Sequence, residues 1–156
     1  MLGNGVTMYR RPCVVAAVLA VSAALSACAS THQISAGPTN MCMNVVNHGY
    51  PEPGAPLIVR GCDPWQNQQW TLTKGGQITG VGGFCVDVQG GTAVDGAHVI
   101  YTPCSGAASQ NWTVSNGTVV GIGGKCLDIE GGNPADRAPL IIASCNGAPS
   151  QQWQIH

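Results

Sequence analysis

The chain has 156 residues and a formal net charge of −1, with only 8% of its residues charged, 22 glycines and eight cysteines. That length suits one domain. Beyond Cys28 the cations are Arg60, Lys74, Lys125 and Arg137 against seven acids, a net −3; nucleic-acid binding needs clustered cations to displace phosphate counterions, and this distribution excludes it.

The first element in chain order is an export signal. Arg10 and Arg11 precede an apolar run from Val14 to Ala27, too short to span a bilayer. A basic flank, a short apolar core and small residues at its end describe a signal peptide over residues 1–28. Met8 offers a tidier start than Met1. The signal ends in Leu25-Ser26-Ala27-Cys28, which resembles the bacterial lipobox. There the cysteine takes a diacylglyceryl group and becomes the new N-terminus. Ordinary cleavage after Ala27-Cys28-Ala29 is the rival reading. On the lipobox reading Cys28 is the lipidation site and the only link to a membrane. The product is then a lipoprotein at the cell envelope, rather than a soluble secreted one. Residues 29–38 read as a short polar tether.

Residues 39–156 repeat three times, over about 39–75, 76–117 and 118–156. Gln68-Gln69-Trp70, Gln110-Asn111-Trp112 and Gln151-Gln152-Trp153 place tryptophans 42 and 41 residues apart. A fixed period of this size marks a repeat architecture. Cysteines keep the same beat: Cys42, Cys85 and Cys126 open the units, and Cys62, Cys104 and Cys145 follow 20, 19 and 19 residues later. In an oxidising compartment an even set of cysteines reads as a disulfide framework. The repeat selects Cys42–Cys62, Cys85–Cys104 and Cys126–Cys145. A zinc site is disfavoured, since there is no Cys-x-x-Cys and no paired histidine.

Within each unit the pattern is β. Cys85-Val86-Asp87-Val88 and Cys126-Leu127-Asp128-Ile129 alternate apolar and polar residues, as half-buried strands do. The short β-branched runs before each second cysteine read as strands too. Ser115-Asn116-Gly117 is a strong hairpin signal, and Lys74-Gly75-Gly76 occupies the equivalent place. No helical period extends over a useful length. Short strands, frequent turns and a threefold repeat imply an all-β closed architecture.

Cys-x-Asp, a strand before a second cysteine, then Gln-x-Trp, in three registered copies, resembles the ricin B-type lectin domain. The resemblance covers everything after the tether. It implies a β-trefoil of three pseudosymmetric four-stranded repeats, one disulfide in each, closing a six-stranded barrel with a hairpin cap. It also implies that Gln68, Gln110 and Gln151 hydrogen-bond local backbone beside core Trp70, Trp112 and Trp153. A buried tryptophan removes about 150–250 Å² from water and needs a partner for its N–H.

Active members hold a shallow sugar pocket in each unit. An Asp two residues after the first cysteine accepts hydroxyls, an aromatic two before the second cysteine stacks on the pyranose, and a polar strand residue and an Asn before Gln-x-Trp complete it. Here the acceptor is present as Asp87 and Asp128, with Asn44 in the first unit; an Asp can equally bond its own turn. Arg60, Thr102 and Ala143 hold the aromatic position. Ile58, Ile100 and Ile141 replace the polar strand residue, and the Asn survives only as Asn67. Tyr101 lies one residue off the platform position; alternation turns it inward, whereas a bulge at Pro103 would turn it out. Trp65 occupies a position held by Ala107 and Ala148 elsewhere. Asn44, Tyr50, Arg60, Trp65 and Asn67 make an unusual first-unit candidate, with Arg60 suited to an acidic sugar.

Catalysis has little support: His32, His48, His98 and His156 have no recurring partners, and "GIGGK" is a turn, not a phosphate loop. The acceptor-like sequences at Asn111 and Asn116 are discounted beside a bacterial lipobox. The expectation is a non-enzymatic, exported, lipid-anchored module that binds carbohydrate, with no cofactor and no metal. A trefoil that has lost sugar binding and serves as a structural or protein-interaction module is the alternative.

Overall fold

The molecule is seen in a computed structural model that describes residues 30–46 and 52–156, and these described residues form twelve short strands. The signal segment, Cys28 and Tyr50 lie outside the described residues. The first repeat holds β1 (Ile34–Ala36), β2 (Met41–Val45), β3 (Ala55–Gly61) and β4 (Thr71–Leu72). The second holds β5 (Ile78–Thr79), β6 (Cys85–Val88), β7 (Val99–Thr102) and β8 (Thr113–Ser115). The third holds β9 (Thr118–Val120), β10 (Cys126–Ile129), β11 (Leu140–Ala143) and β12 (Trp153–Ile155). The strand order is β12-β1-β2-β3-β7-β6-β5-β4 in one sheet and β11-β10-β9-β8 in the other, and bridges at Ile58–Pro139 and His98–Ile141 join them. This is the β-trefoil, with its disulfides Cys42–Cys62, Cys85–Cys104 and Cys126–Cys145 each inside one repeat.

Closure follows from one bond repeated three times. The N–H of Trp70, Trp112 and Trp153 donates to the carbonyl of His32, Gly76 and Gly117, at 2.8, 2.7 and 2.7 Å. His32 therefore opens the first repeat as Gly76 and Gly117 open the others. The expected tether over 29–38 is too long by this measure: Ile34–Ala36 pair with β12, Ile34 opposite Ile155 and Ala36 opposite Trp153. Ile34 is fully buried. The reason is that the last strand of a closed barrel has an edge that must be paired, and only the segment before β2 can reach it.

A second ring of bonds welds the repeats from outside the barrel. Gly54, Gly96 and Arg137 donate their N–H to the carbonyls of Tyr101, Ile142 and Val59 at 2.9, 2.8 and 2.8 Å. All three take positive φ, at 85°, 87° and 68°; glycine accepts this freely, whereas an L-residue such as arginine does so under strain. The Asn116-Gly117 turn (φ 50° and 78°) joins β8 to β9, with Ser115 opposite Thr118, as the type I′ signal requires. The ion pair Lys125–Asp95 at 2.7 Å ties repeats 2 and 3 together, and the Ser144 hydroxyl donates to Asp95 at 2.8 Å. The Lys125 hydrogen bond, then Ser144, hold the Asp95 carboxyl below its ordinary range.

The core is one cluster of inward-facing residues that includes Met43, Val86 and Leu127 from the repeats' second strands and Trp70, Trp112 and Trp153. The indoles are 0%, 4% and 3% exposed. Each donates its ring N–H to a second-strand carbonyl, of Met43, Val86 and Leu127, at 3.1, 3.0 and 3.1 Å. The burial thus costs no unpaired donor.

Candidate functional site

On each second strand the residues alternate, so that the cysteine and the residue two after it face outward. In repeat 2 these are Cys85 opposite Thr102 and Asp87 opposite Ile100. In repeat 3 they are Cys126 opposite Ala143 and Asp128 opposite Ile141. In repeat 1 they are Cys42 opposite Arg60 and Asn44 opposite Ile58. The strand pattern therefore brings each candidate acceptor and its platform position onto one outer face.

The motif glutamines organise these faces. The Gln110 amide donates to Asp87 Oδ2 at 2.9 Å and to the Pro103 carbonyl at 3.0 Å, and Gln110 Oε1 accepts the Ser105 N–H at 2.8 Å. Gln151 repeats the set with Asp128 Oδ2, the Ser144 carbonyl and the Asn146 N–H at 2.9, 3.1 and 2.9 Å. Gln68 does so with Asn44 Oδ1, the Gly61 carbonyl and the Asp63 N–H at 3.2, 2.9 and 2.9 Å. One side chain thereby fixes the acceptor, the end of the third strand and the start of the following turn.

The acceptors differ in what remains free. Asp87 is half-buried. Its Oδ1 accepts the Val88 N–H at 2.7 Å, and its Oδ2 takes the Thr102 hydroxyl at 2.9 Å besides Gln110. A carboxylate offers about four lone-pair sites, so one on Oδ1 stays open. Asp128 carries one bond per oxygen, from the Ile129 N–H and Gln151, and is 8% exposed. Each Asp is tied to its own turn and keeps acceptor capacity.

Repeat 1 is closed at the same place. Asn44 is 1% and Asn67 5% exposed, and Asn67 donates its amide to Asn44 Oδ1 at 2.8 Å. Asn44 spends its own amide on the Val45 carbonyl at 2.7 Å. The Asn67 side-chain oxygen is buried with no partner among the described residues. As sugar contacts, then, Asn44 and Asn67 are corrected: an amide pair bonded to each other and covered from solvent serves the fold.

Tyr101 is corrected as well. It is fully buried, its ring edge-on to Trp70 at 5.8 Å, and its hydroxyl donates to the Val81 carbonyl at 2.6 Å. Strand alternation puts it inside, with no bulge to turn it out. Burial pushes its phenol up to about 12, against the pull of the Gly80 and Phe84 backbone. Arg60 and Trp65 are exposed, Trp65 at 70%. Ile100 and Ile141, beside the acceptors, are partly exposed. The reading by sequence missed Thr102 as a ligand of Asp87 and missed Asp63 altogether. Aligning 63–65 with 105–107 and 146–148 would have shown that only the first carries a carboxylate there.

Two grooves on the surface lie away from these faces. One of about 220 Å³ runs between Leu72, Ile78, Trp112 and Val114, and another of about 340 Å³ lies by Ser35, Asn40, Gln154 and His156. Neither contains Asp87 or Asp128.

Solved structures share this architecture. The designed 3-fold symmetric protein ThreeFoil matches at 29% identity and a TM-score of 0.73, over 80% of this chain and 96% of its own. The agglutinin from Abrus precatorius matches at 26% identity and 0.70, over 81% and 48%. A non-toxic type II RIP homologue from Momordica charantia, solved with α-methyl-D-galactoside, matches at 25% identity and 0.70, over 81% and 47%. Among curated proteins the comparison finds no match. The model of the ricin-type beta-trefoil lectin domain matches residues 30–153. That span holds all three glutamine-braced repeats, and the chain belongs to this family.

Proposed function

We propose that the protein is a carbohydrate-binding module whose principal site is the outer face of repeat 2, centred on Asp87, with Asp128 in repeat 3 as a weaker second. The observation that carries this is the Asp87 carboxylate. It is oriented by Gln110 and Thr102, half-exposed, and left with acceptor capacity for a sugar hydroxyl. The galactoside bound by the Momordica charantia relative supports a neutral hexose as the ligand class. Thr102 and Ala143 stand where a stacking ring would add affinity, so each site is shallow and weak. Useful binding would then come from several sites, or many copies, acting together.

The signal and lipobox support export and attachment through Cys28, which places many copies on one surface. Intact mass of the mature N-terminus tests this: a diacylglyceryl adduct on Cys28 is expected, and an unmodified N-terminus beyond it would favour the secreted form.

Binding is tested with a glycan array and the Asp87→Asn variant. Repeat 1 shows that the fold accepts Asn here with its glutamine bond intact. Binding should fall about tenfold or more while the near-UV spectrum stays unchanged. An array silent for the wild type would instead favour a structural or protein-interaction role, to which the isoleucines beside each acceptor also lend themselves.

A further inference from the structure

We propose that repeat 1 carries a relocated sugar site on the turn Asp63-Pro64-Trp65, with Trp65 as the stacking ring, Asp63 as hydroxyl acceptor and Arg60 as donor, for a neutral pyranose. This rests on the carbohydrate-binding reading above but uses none of its residues.

The three repeats serve as internal controls. In each, an equivalent bond to the side chain of the first residue closes the turn, although the middle residue is Pro64 in repeat 1 and a positive-φ glycine, Gly106 or Gly147, in the others. Asp63 Oδ1 accepts the Trp65 N–H at 3.0 Å, Ser105 Oγ accepts the Ala107 N–H at 3.3 Å, and Asn146 Oδ1 accepts the Ala148 N–H at 2.8 Å. The bond therefore needs a short polar side chain at the first position and sets no demand on the side chain at the third, which is Trp65, Ala107 or Ala148. Repeat 1 alone places a carboxylate and an indole there. The indole is 70% exposed, whereas the three that build the core are at most 4% exposed. A large flat ring held in water is a feature the fold does not explain.

The turn is braced from beneath. Gln68 Oε1 accepts the Asp63 N–H at 2.9 Å, and the Gln33 amide donates to the Asp63 carbonyl at 2.5 Å. Pro64 restricts the backbone between acid and ring. A rigid platform loses less entropy when a ligand settles on it. The second oxygen of Asp63 has no partner among the described residues, and neither has the exposed Arg60 guanidinium. Arg60 lies one residue before Gly61, whose carbonyl is pinned by the same Gln68. Thr102 and Ala143 hold its place in the other repeats.

The chemistry is that of a hexose. The ring takes the C–H face of the sugar, the carboxylate accepts hydroxyls and the guanidinium donates to oxygens. Arg60 and Asp63 cancel in charge, so the strip favours a neutral sugar over an acidic one. The inner acceptor position, filled in this repeat by the buried Asn44–Asn67 pair, is not available as an alternative.

The solvent-exposed component of the tryptophan emission, isolated as the difference between wild type and Trp65→Ala, reports on this site, because Trp65 is the one exposed indole of four. The probes are methyl α-galactoside, methyl α-glucoside and methyl α-mannoside, with galacturonate as the anionic control. At least one neutral probe should shift or quench the emission. Trp65→Ala should abolish the response, and Asp63→Ser, which keeps the turn bond as Ser105 does, should weaken it about tenfold. Asp87→Asn should leave it unchanged, which separates this site from repeat 2. A Trp65 signal silent toward every neutral probe would overturn the proposal in favour of a protein contact at this turn. A stronger response to galacturonate would overturn the assignment of a neutral ligand. Loss of the response in Asp87→Asn would show a single site in repeat 2.

Discussion

Repeats 1 and 3 are built on the same bonds and dressed for different surroundings. The indole of each donates to a second-strand carbonyl at 3.1 Å, and the glutamine of each spans the same three groups. Yet repeat 3 turns a carboxylate, Asp128, outward beside Ile141, while repeat 1 buries Asn44 against Asn67 and displays Asp63 and Trp65 on the next turn. What is common to the repeats is what closing the barrel requires. What differs is free of that requirement and open to function.

That division is tested most severely at the tryptophans. Trp112→Ala should cost about 3–5 kcal/mol in a urea titration, through the lost burial and the cavity left behind. Trp65→Ala should stay within about 0.5 kcal/mol of wild type, as a surface change does. Equal losses at the two positions would break the comparison.

A smaller effect is expected at Tyr101, which stands where repeats 1 and 3 have Val59 and Ile142. Its phenol is raised to about 12 in the fold, from an ordinary value near 10. The folded state thus holds its proton more tightly than the unfolded one. The stability this contributes is complete below about pH 10 and is lost as pH rises from about 10 to 12, by roughly 2–3 kcal/mol. Denaturant midpoints measured across that window should fall, and Tyr101→Phe should flatten the fall.

The smallest effect lies at the weld between repeats 3 and 1. Arg137 takes φ 68° where repeats 1 and 2 use Gly54 and Gly96. Arg137→Gly should raise stability by about 1 kcal/mol, the relief of a left-handed conformation less the added freedom of the unfolded chain. A loss instead would mean that the arginine side chain makes up for its strain.

Much of this was legible beforehand. The registered Gln-x-Trp motifs and cysteines led to the trefoil and its disulfides, because bonds formed within a repeat recur at fixed spacing. Asn116-Gly117 located a hairpin because few residues accept its dihedrals. The polar tether was drawn too long because nothing local in Ile34–Ala36 signals a strand; its partner is β12, at the other end of the chain. At the candidate site, position in the repeat placed Asp87 and Asp128 on the strand's outer side, but Asn44 and Asn67, read as sugar contacts, prove to be covered by one another. Whether an amide faces solvent or a second amide depends on residues more than twenty positions away.

The sequence by itself determined the repeat, the sulfur framework and the inventory of rings and acids, since these depend on spacing and residue type. Only the tertiary structure decided which acids keep an open lone pair, which tryptophan stands in water and which tyrosine is sealed inside. Exposure and free valence belong to whatever surrounds a group, and those surroundings are assembled from all three repeats at once.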